Sequence, residues 1–242
     1  VCGALTESDS EVRMGSPDRR QGTGPSDGPC DGLVDGFEYG PDGFEGGSVD
    51  GLADDRGSGG LHRGVAVVMG VAGTGKTTVG ALLAEALGAP YAEADSFHPP
   101  ANVAKMTAGR PLDDSDREPW LDAIGAWASQ QAESGGVVSC SALKRAYRDR
   151  LRAAAPHVFF VHLTGDRSLI ARRMEQRRDH FMPLTLLDSQ FAALEPLQPD
   201  EAGAAVPVGA GPEAVTRRAL TAFRDWSAAS GRLRAAGAGG PR

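Results

Sequence analysis

The stretch Gly70-Val71-Ala72-Gly73-Thr74-Gly75-Lys76-Thr77 spaces its glycines, lysine and threonine as G-x-x-x-x-G-K-[ST], the signature of a loop that grips polyphosphate. Each residue type has a task in that chemistry. The glycines let successive backbone N–H groups turn inward around phosphate oxygens. Lys76 is expected to reach the β- and γ-phosphates of a nucleotide, and the Thr77 hydroxyl to hold Mg2+. The cradle is expected to take in Gly70, Val71, Ala72, Gly73, Thr74, Gly75, Lys76, Thr77 and Thr78. Downstream, Asp95 offers a carboxylate that can accept a hydrogen bond, and the proton itself, from a hydroxyl. Phosphoryl transfer asks mainly for positioning and charge stabilisation, so that carboxylate need not be a strong base. His98, ahead of Pro99-Pro100, binds substrate or orders the turn. Arg172-Arg173 and Arg177-Arg178 repeat positive charge over successive helical turns, which is costly unless solvent or phosphate compensates it.

Elements must hold these groups in place. Val65-Ala66-Val67-Val68-Met69 is an apolar run of strand length leading into the loop. The apolar spacing over 78–87 continues the chain as a helix, whose positive N-terminal end adds to the cradle. Residues 90–94 form a weak second strand ending at Asp95, and a short helix follows over 100–107. Asp114 or Ser115 caps a longer helix ending near Ser134, with Trp120, Ile124 and Trp127 as its buried stripe. Val137 to Cys140 is the third strand, followed by a helix over 144–154, and Val158 to Leu163 is the fourth. Helices are expected over 168–177 and 184–194. The fifth strand, 205–208, is poor because Pro207 removes a ladder donor, and Pro212 opens a last helix running toward Trp226. Alternation of this kind predicts an α/β fold of three layers around a central, mostly parallel sheet. Ligands belong outside the carboxyl ends of its strands.

Longer blocks resemble the small gluconokinase family. Ala94-Asp95-Ser96-Phe97-His98-Pro99-Pro100-Ala101-Asn102-Val103-Ala104-Lys105-Met106 follows D-x-x-H-P-x-x-N-x-x-K-M, and 111–120 follows P-L-x-D-x-D-R-x-P-W. The similarity continues through 140–152, His180-Phe181-Met182, Ser189-Gln190-Phe191 and Leu194-Glu195, covering about residues 65–197. The phosphate loop alone is shared by very many enzymes; the two middle blocks are far more specific. The resemblance implies a P-loop kinase fold like that of nucleoside monophosphate and shikimate kinases. It also implies transfer of the γ-phosphoryl group of ATP, with Mg2+, to the 6-hydroxyl of D-gluconate. It places a substrate-binding segment at about 98–134 and a lid at about 166–185. It sets Asp95 near the accepting hydroxyl with His98, Lys105 and Arg110 around gluconate, brings Arg148 to the substrate carboxylate, and sets Arg173 and Arg177 against the transferring phosphates. It leaves a homodimer open. The chain departs from the familiar pattern at Ala94 and Asp179, where glycine is usual.

The net charge of -7 is unevenly spread. Residues 1–60 hold 13 Asp or Glu against 4 Arg, with 15 glycines and 4 prolines, and read as a disordered acidic extension. A kinase domain is expected over 61–230 and a flexible tail over 231–242. The nearly neutral body shows no nucleic-acid face, and no apolar run is long enough to span a membrane. Three cysteines, Cys2, Cys30 and Cys140, make no disulfide framework, and the first residues are too polar for a secretory signal, so a cytoplasmic location is expected. Two other functions stay open. One is a related kinase for shikimate or another sugar acid; the other is a nucleotide-binding regulatory module without turnover. ATP is favoured over GTP because no N-K-x-D motif is present.

Overall fold

The computed structural model describes residues 63–176 and 184–237. The chain divides into two units, Val1–Gly46 and Gly47–Arg242, and every described residue belongs to the second. The whole of the expected N-terminal extension, together with Arg177, Asp179 and His180-Phe181-Met182, lies outside the described residues.

Strands and helices alternate. β1 (Val65–Met69) leads into α1 (Lys76–Leu87). β2 (Tyr91–Glu93) leads through a 3-10 turn (Ala94–Phe97) into α2 (Pro100–Thr107) and α3 (Asp114–Gln131). β3 (Gly136–Ser139) is followed by α4 (Arg145–Ala154), and β4 (Val158–Thr164) by α5 (Arg167–Glu175) and α6 (Leu184–Ala193). β5 (Gly203–Pro207) precedes α7 (Pro212–Gly237). The strands form one sheet in the order β2-β3-β1-β4-β5, all neighbours parallel.

β1 lies at the centre, and its alternation sorts the core into two layers. Val65, Val67 and Met69 point toward Trp120, Leu121 and Ile124 of α3 and Leu151 of α4. Ala66 and Val68 point toward Val79 and Leu83 of α1 and Val215, Leu220 and Phe223 of α7. All five residues of β1 are fully buried, which is why the strand reads as an unbroken apolar run rather than as an alternating one. Each buried aliphatic side chain of this kind stabilises the fold by about 1.5–3 kcal/mol.

Three local expectations need correction. The cap of α3 is Asp113, one residue earlier than expected. Its side chain accepts the Asp116 N–H while the Asp116 carboxylate accepts the Asp113 N–H, a reciprocal capping box that neither Asp114 nor Ser115 could form from inside the first turn. Trp127 lies at the rim of the core rather than within it, edge-on to Phe97 with 6.4 Å between ring centroids. Finally, α7 continues through Gly237 into the expected tail, across the helix-favouring residues Arg232, Arg234, Ala235 and Ala236. Pro207 is accommodated because β5 is an edge strand, paired on one side only.

Candidate active site

The phosphate loop begins where β1 ends. Gly75 takes φ 89° and stands as the N-cap of α1, and no side chain caps the opening turn. Backbone N–H groups of that turn have no intrahelical acceptor and face an incoming anion together with the helix dipole. Gly73 takes φ 80°, and a Cβ there would lie 2.7 Å from Met174 Cγ on α5. Val71 is buried beneath the loop against Leu143, Ile170, Met174 and Leu187. Its carbonyl accepts hydrogen bonds from Thr74 Oγ1 at 2.8 Å and Lys76 Nζ at 3.1 Å. The Gly70 N–H donates to Ser141 O at 3.3 Å, joining the loop to the segment after β3.

Below the start of α1, Ser139 Oγ donates to Lys76 O at 3.0 Å. The Tyr91 hydroxyl pairs with Ser139 Oγ at 2.8 Å, bonds the Glu93 carboxylate and lies 3.4 Å from Thr77 O. Burial first, then the Glu93 carboxylate, pushes the Tyr91 phenol well above its ordinary range, so it stays protonated and anchors Glu93. The Glu93 carboxylate is thereby tied to the turn that bears the exposed Thr77. No cluster of three or more potential metal-ligating side chains exists among the described residues. One hydroxyl with one nearby carboxylate suits Mg2+ arriving with a nucleotide, because that ion keeps phosphate and water ligands.

Past β2, Trp120 Nε1 donates to Ala94 O at 2.7 Å and locks the 3-10 turn to α3. That turn presents Asp95 to solvent. The His98 ring stacks on Trp120, with centroids 4.7 Å apart and planes 8° apart. Its Nδ1 lies 3.4 Å from Asn102 Nδ2, which itself donates to Asp116 O at 2.7 Å. Burial lowers the affinity of His98 for a proton and Arg117 lowers it further, against the opposing pull of Asp95. Between the two sub-sites lies Cys140, 1% exposed, whose thiol is pushed up to about 12 chiefly by burial. It is therefore no nucleophile. Glu93 pairs in register with Ser139, whose hydroxyl donates to Lys76 O, and Asp95 stands in the turn straight after β2, so all three residues gather at the carboxyl ends of β2 and β3.

The remaining cations divide. Arg110 is exposed at the end of α2 and makes no ion pair among the described residues. Lys105 does not stand open for substrate: its ammonium bonds Asp116 and lies 3.2 Å from Asp113, so it braces α2 against the cap of α3. Arg148 is corrected outright. It is fully buried, with Nε 2.6 Å and Nη2 3.0 Å from the Glu201 carboxylate and Nη1 on the carbonyls of Ala142 and Leu143. No face of its guanidinium remains for a substrate carboxylate. It shapes the loop after β3 instead, where Ala142 takes φ 40°, a left-handed conformation that costs a non-glycine residue on the order of 1–2 kcal/mol. Arg173 Nη2 donates to Val208 O at 2.6 Å. It lines a cavity of about 310 Å³ between Gly73-Thr74-Gly75 and the residues that join β5 to α7. Asp95 is not among the residues that line this cavity.

Residues 72–197 match the family model described as Shikimate kinase. Over 137 residues the chain is 50% identical to a gluconokinase of Gluconobacter oxydans, covering 56% of this chain and 77% of that protein. The chain belongs to the gluconokinase family. It is also 45% identical over 137 residues to the thermosensitive gluconokinase of Escherichia coli, covering 56% of this chain and 73% of that one. The crystal structure of a gluconokinase from Sinorhizobium meliloti superposes with a TM-score of 0.66 at 43% identity, covering 72% of this chain and 99% of that chain. Within this gluconokinase-family site, two residues escaped the sequence reading. Glu93 had a signal, the carboxylate pair Glu93-Ala94-Asp95 at a strand end. Gln190, whose Oε1 accepts the Ala72 N–H at 2.6 Å, had none beyond its place in a resembling block.

Proposed function

We infer that the chain is a gluconokinase that moves the γ-phosphoryl group of ATP to the 6-hydroxyl of D-gluconate, giving 6-phospho-D-gluconate and ADP. The observation that carries this reading is the gathering of Lys76, Glu93 and Asp95 at the carboxyl ends of β2 and β3, with an exposed carboxylate on the accepting side. The loop amides and Lys76 hold the β- and γ-phosphates. Thr77, with Glu93 behind it, suits Mg2+, which neutralises phosphate charge when bound. Asp95 accepts the hydrogen bond of the 6-hydroxyl and takes its proton as the new O–P bond forms and the bond to the leaving ADP oxygen breaks. His98, fixed against Trp120, supports a neighbouring hydroxyl. With Lys105 and Arg148 committed elsewhere, Arg110 is the cation left for the gluconate carboxylate. Arg173, pinned to Val208 O, faces the nucleoside part of ATP rather than the transferring phosphate. The cytosol is the proposed compartment; no helix among the described residues is long and apolar enough to cross a membrane.

The match to the shikimate kinase model keeps a second acid substrate in view. Initial rates of ADP release with gluconate, shikimate and several free sugars separate the two. Gluconate is expected to be turned over fastest; preference for shikimate, or nucleotide binding without turnover of any of them, would replace this reading.

A further inference from the structure

Gln190 has no task in the transfer just described, yet it reaches the phosphate loop from α6. Its side-chain oxygen accepts the Ala72 N–H at 2.6 Å in a half-buried setting. α6 holds it there through Leu187, which is fully buried against Val71, Ile170 and Met174, and through Phe191 at the edge of the same cluster, which Leu194 joins just past the helix. A trans peptide directs its N–H and its C=O to opposite sides of the chain. Anchoring the N–H of the Val71–Ala72 peptide therefore fixes the direction of the Val71 carbonyl. That carbonyl is the acceptor for Lys76 Nζ at 3.1 Å and for Thr74 Oγ1 at 2.8 Å.

We propose that Gln190 is a positioning residue for Lys76, acting through the Val71–Ala72 peptide. Its amide oxygen keeps the peptide from turning over, and the oriented carbonyl guides the ammonium along the loop toward the β- and γ-phosphate positions. Losing the acceptor leaves a half-buried N–H to find another partner, and the lowest-cost way is rotation of the peptide, which takes the carbonyl away from Lys76. The inference rests on the kinase reading for its turnover arm only; its binding arm needs no gluconate.

The test is a double-mutant cycle on the full chain, using wild type, Gln190→Met, Lys76→Ala and the double variant. Calorimetric titration with a non-hydrolysable Mg-ATP analogue gives the affinities, and thermal melting checks the fold. Gln190→Met is expected to weaken binding about 3–10-fold where Lys76 is present and less than about twofold where it is absent. Gln190→Glu keeps an acceptor oxygen at the same reach, and its kcat with gluconate is expected within about threefold of wild type, against a loss of about tenfold in Gln190→Met. Gln190→Ala takes the place of the methionine variant should that one fail to fold. Equal weakening in both Lys76 backgrounds, wild-type binding by Gln190→Met, or equal loss of kcat in the glutamate and methionine variants would each overturn the proposal. Affinities that follow the cycle in a protein inactive on gluconate would overturn the substrate assignment and leave the role of Gln190 standing.

Discussion

Asp95 carries its carboxylate into solvent beyond β2, whereas Arg148 carries its guanidinium into the interior between α4 and the segment ending at Glu201. The two therefore fail differently when changed. Asp95→Asn keeps the size and most hydrogen bonding of the side chain but removes the proton acceptor. Single-turnover phosphorylation at saturating gluconate and Mg-ATP is expected to slow about 10²–10⁴-fold with an unchanged circular dichroism spectrum; a wild-type rate would remove Asp95 from proton transfer. Arg148→Met strands Glu201 as a buried, unpaired charge, at a cost of about 3–5 kcal/mol read by denaturant unfolding. Burial pushes the Glu201 carboxyl up, but Arg148 and the Gln198 N–H outweigh it and hold it below its ordinary value. A rise in the KM for gluconate without loss of stability would instead return Arg148 to the substrate. The sequence does not reveal this difference. Both residues follow strands and both have the right chemistry, while the partner that buries Arg148 lies 53 residues away along the chain. The phosphate loop was legible because its residue types and spacing leave little choice, although its supports from Ser141, Met174 and Gln190 lie far along the chain.

At the scale of elements, α3 is the part that orders the accepting side. Its first turn bonds Lys105 and Asn102 of α2 through Asp116, its Trp120 holds the 3-10 turn through Ala94 O, and its cap is Asp113. Asp113→Ala is expected to cost about 1 kcal/mol in thermal or denaturant unfolding. The loss of one Lys105 contact should add little, because that carboxylate is exposed and screened. A change below the precision of the measurement would mean that Asp116 holds the turn alone. Element types were readable wherever burial is two-sided or a helical stripe is clear, as in β1, β4 and α1. The start of α3 was one residue off because several adjacent acidic residues can cap, and only backbone geometry selects among them. β5 was obscured by Pro207, which is tolerated only because of where the strand falls in the sheet, a fact that local sequence does not carry.

For the molecule as a whole, acid sensitivity should come partly from His162 on β4. It is 4% exposed, and its Nε2 has no hydrogen-bond partner among the described residues. Burial first, and Arg148 second, hold its pKa below the ordinary value, so the folded protein keeps it neutral. The unfolded chain takes up that proton near pH 6.5, so this contribution to stability is complete above about pH 6.5 and is lost as the pH falls toward the folded pKa. Melting temperature is expected to drop between pH 7 and pH 5, and His162→Leu to flatten that slope; an unchanged slope would place the acid sensitivity elsewhere. The assembled site has to select one acid over another. Limiting Mg-ATP incubated with equimolar gluconate and shikimate, with the phosphorylated product identified by phosphorus NMR, puts the choice to the enzyme directly. The predicted result is 6-phospho-D-gluconate as the dominant product in step with ADP; shikimate phosphate as the main product, phosphate on another gluconate hydroxyl, or release of inorganic phosphate alone would contradict it.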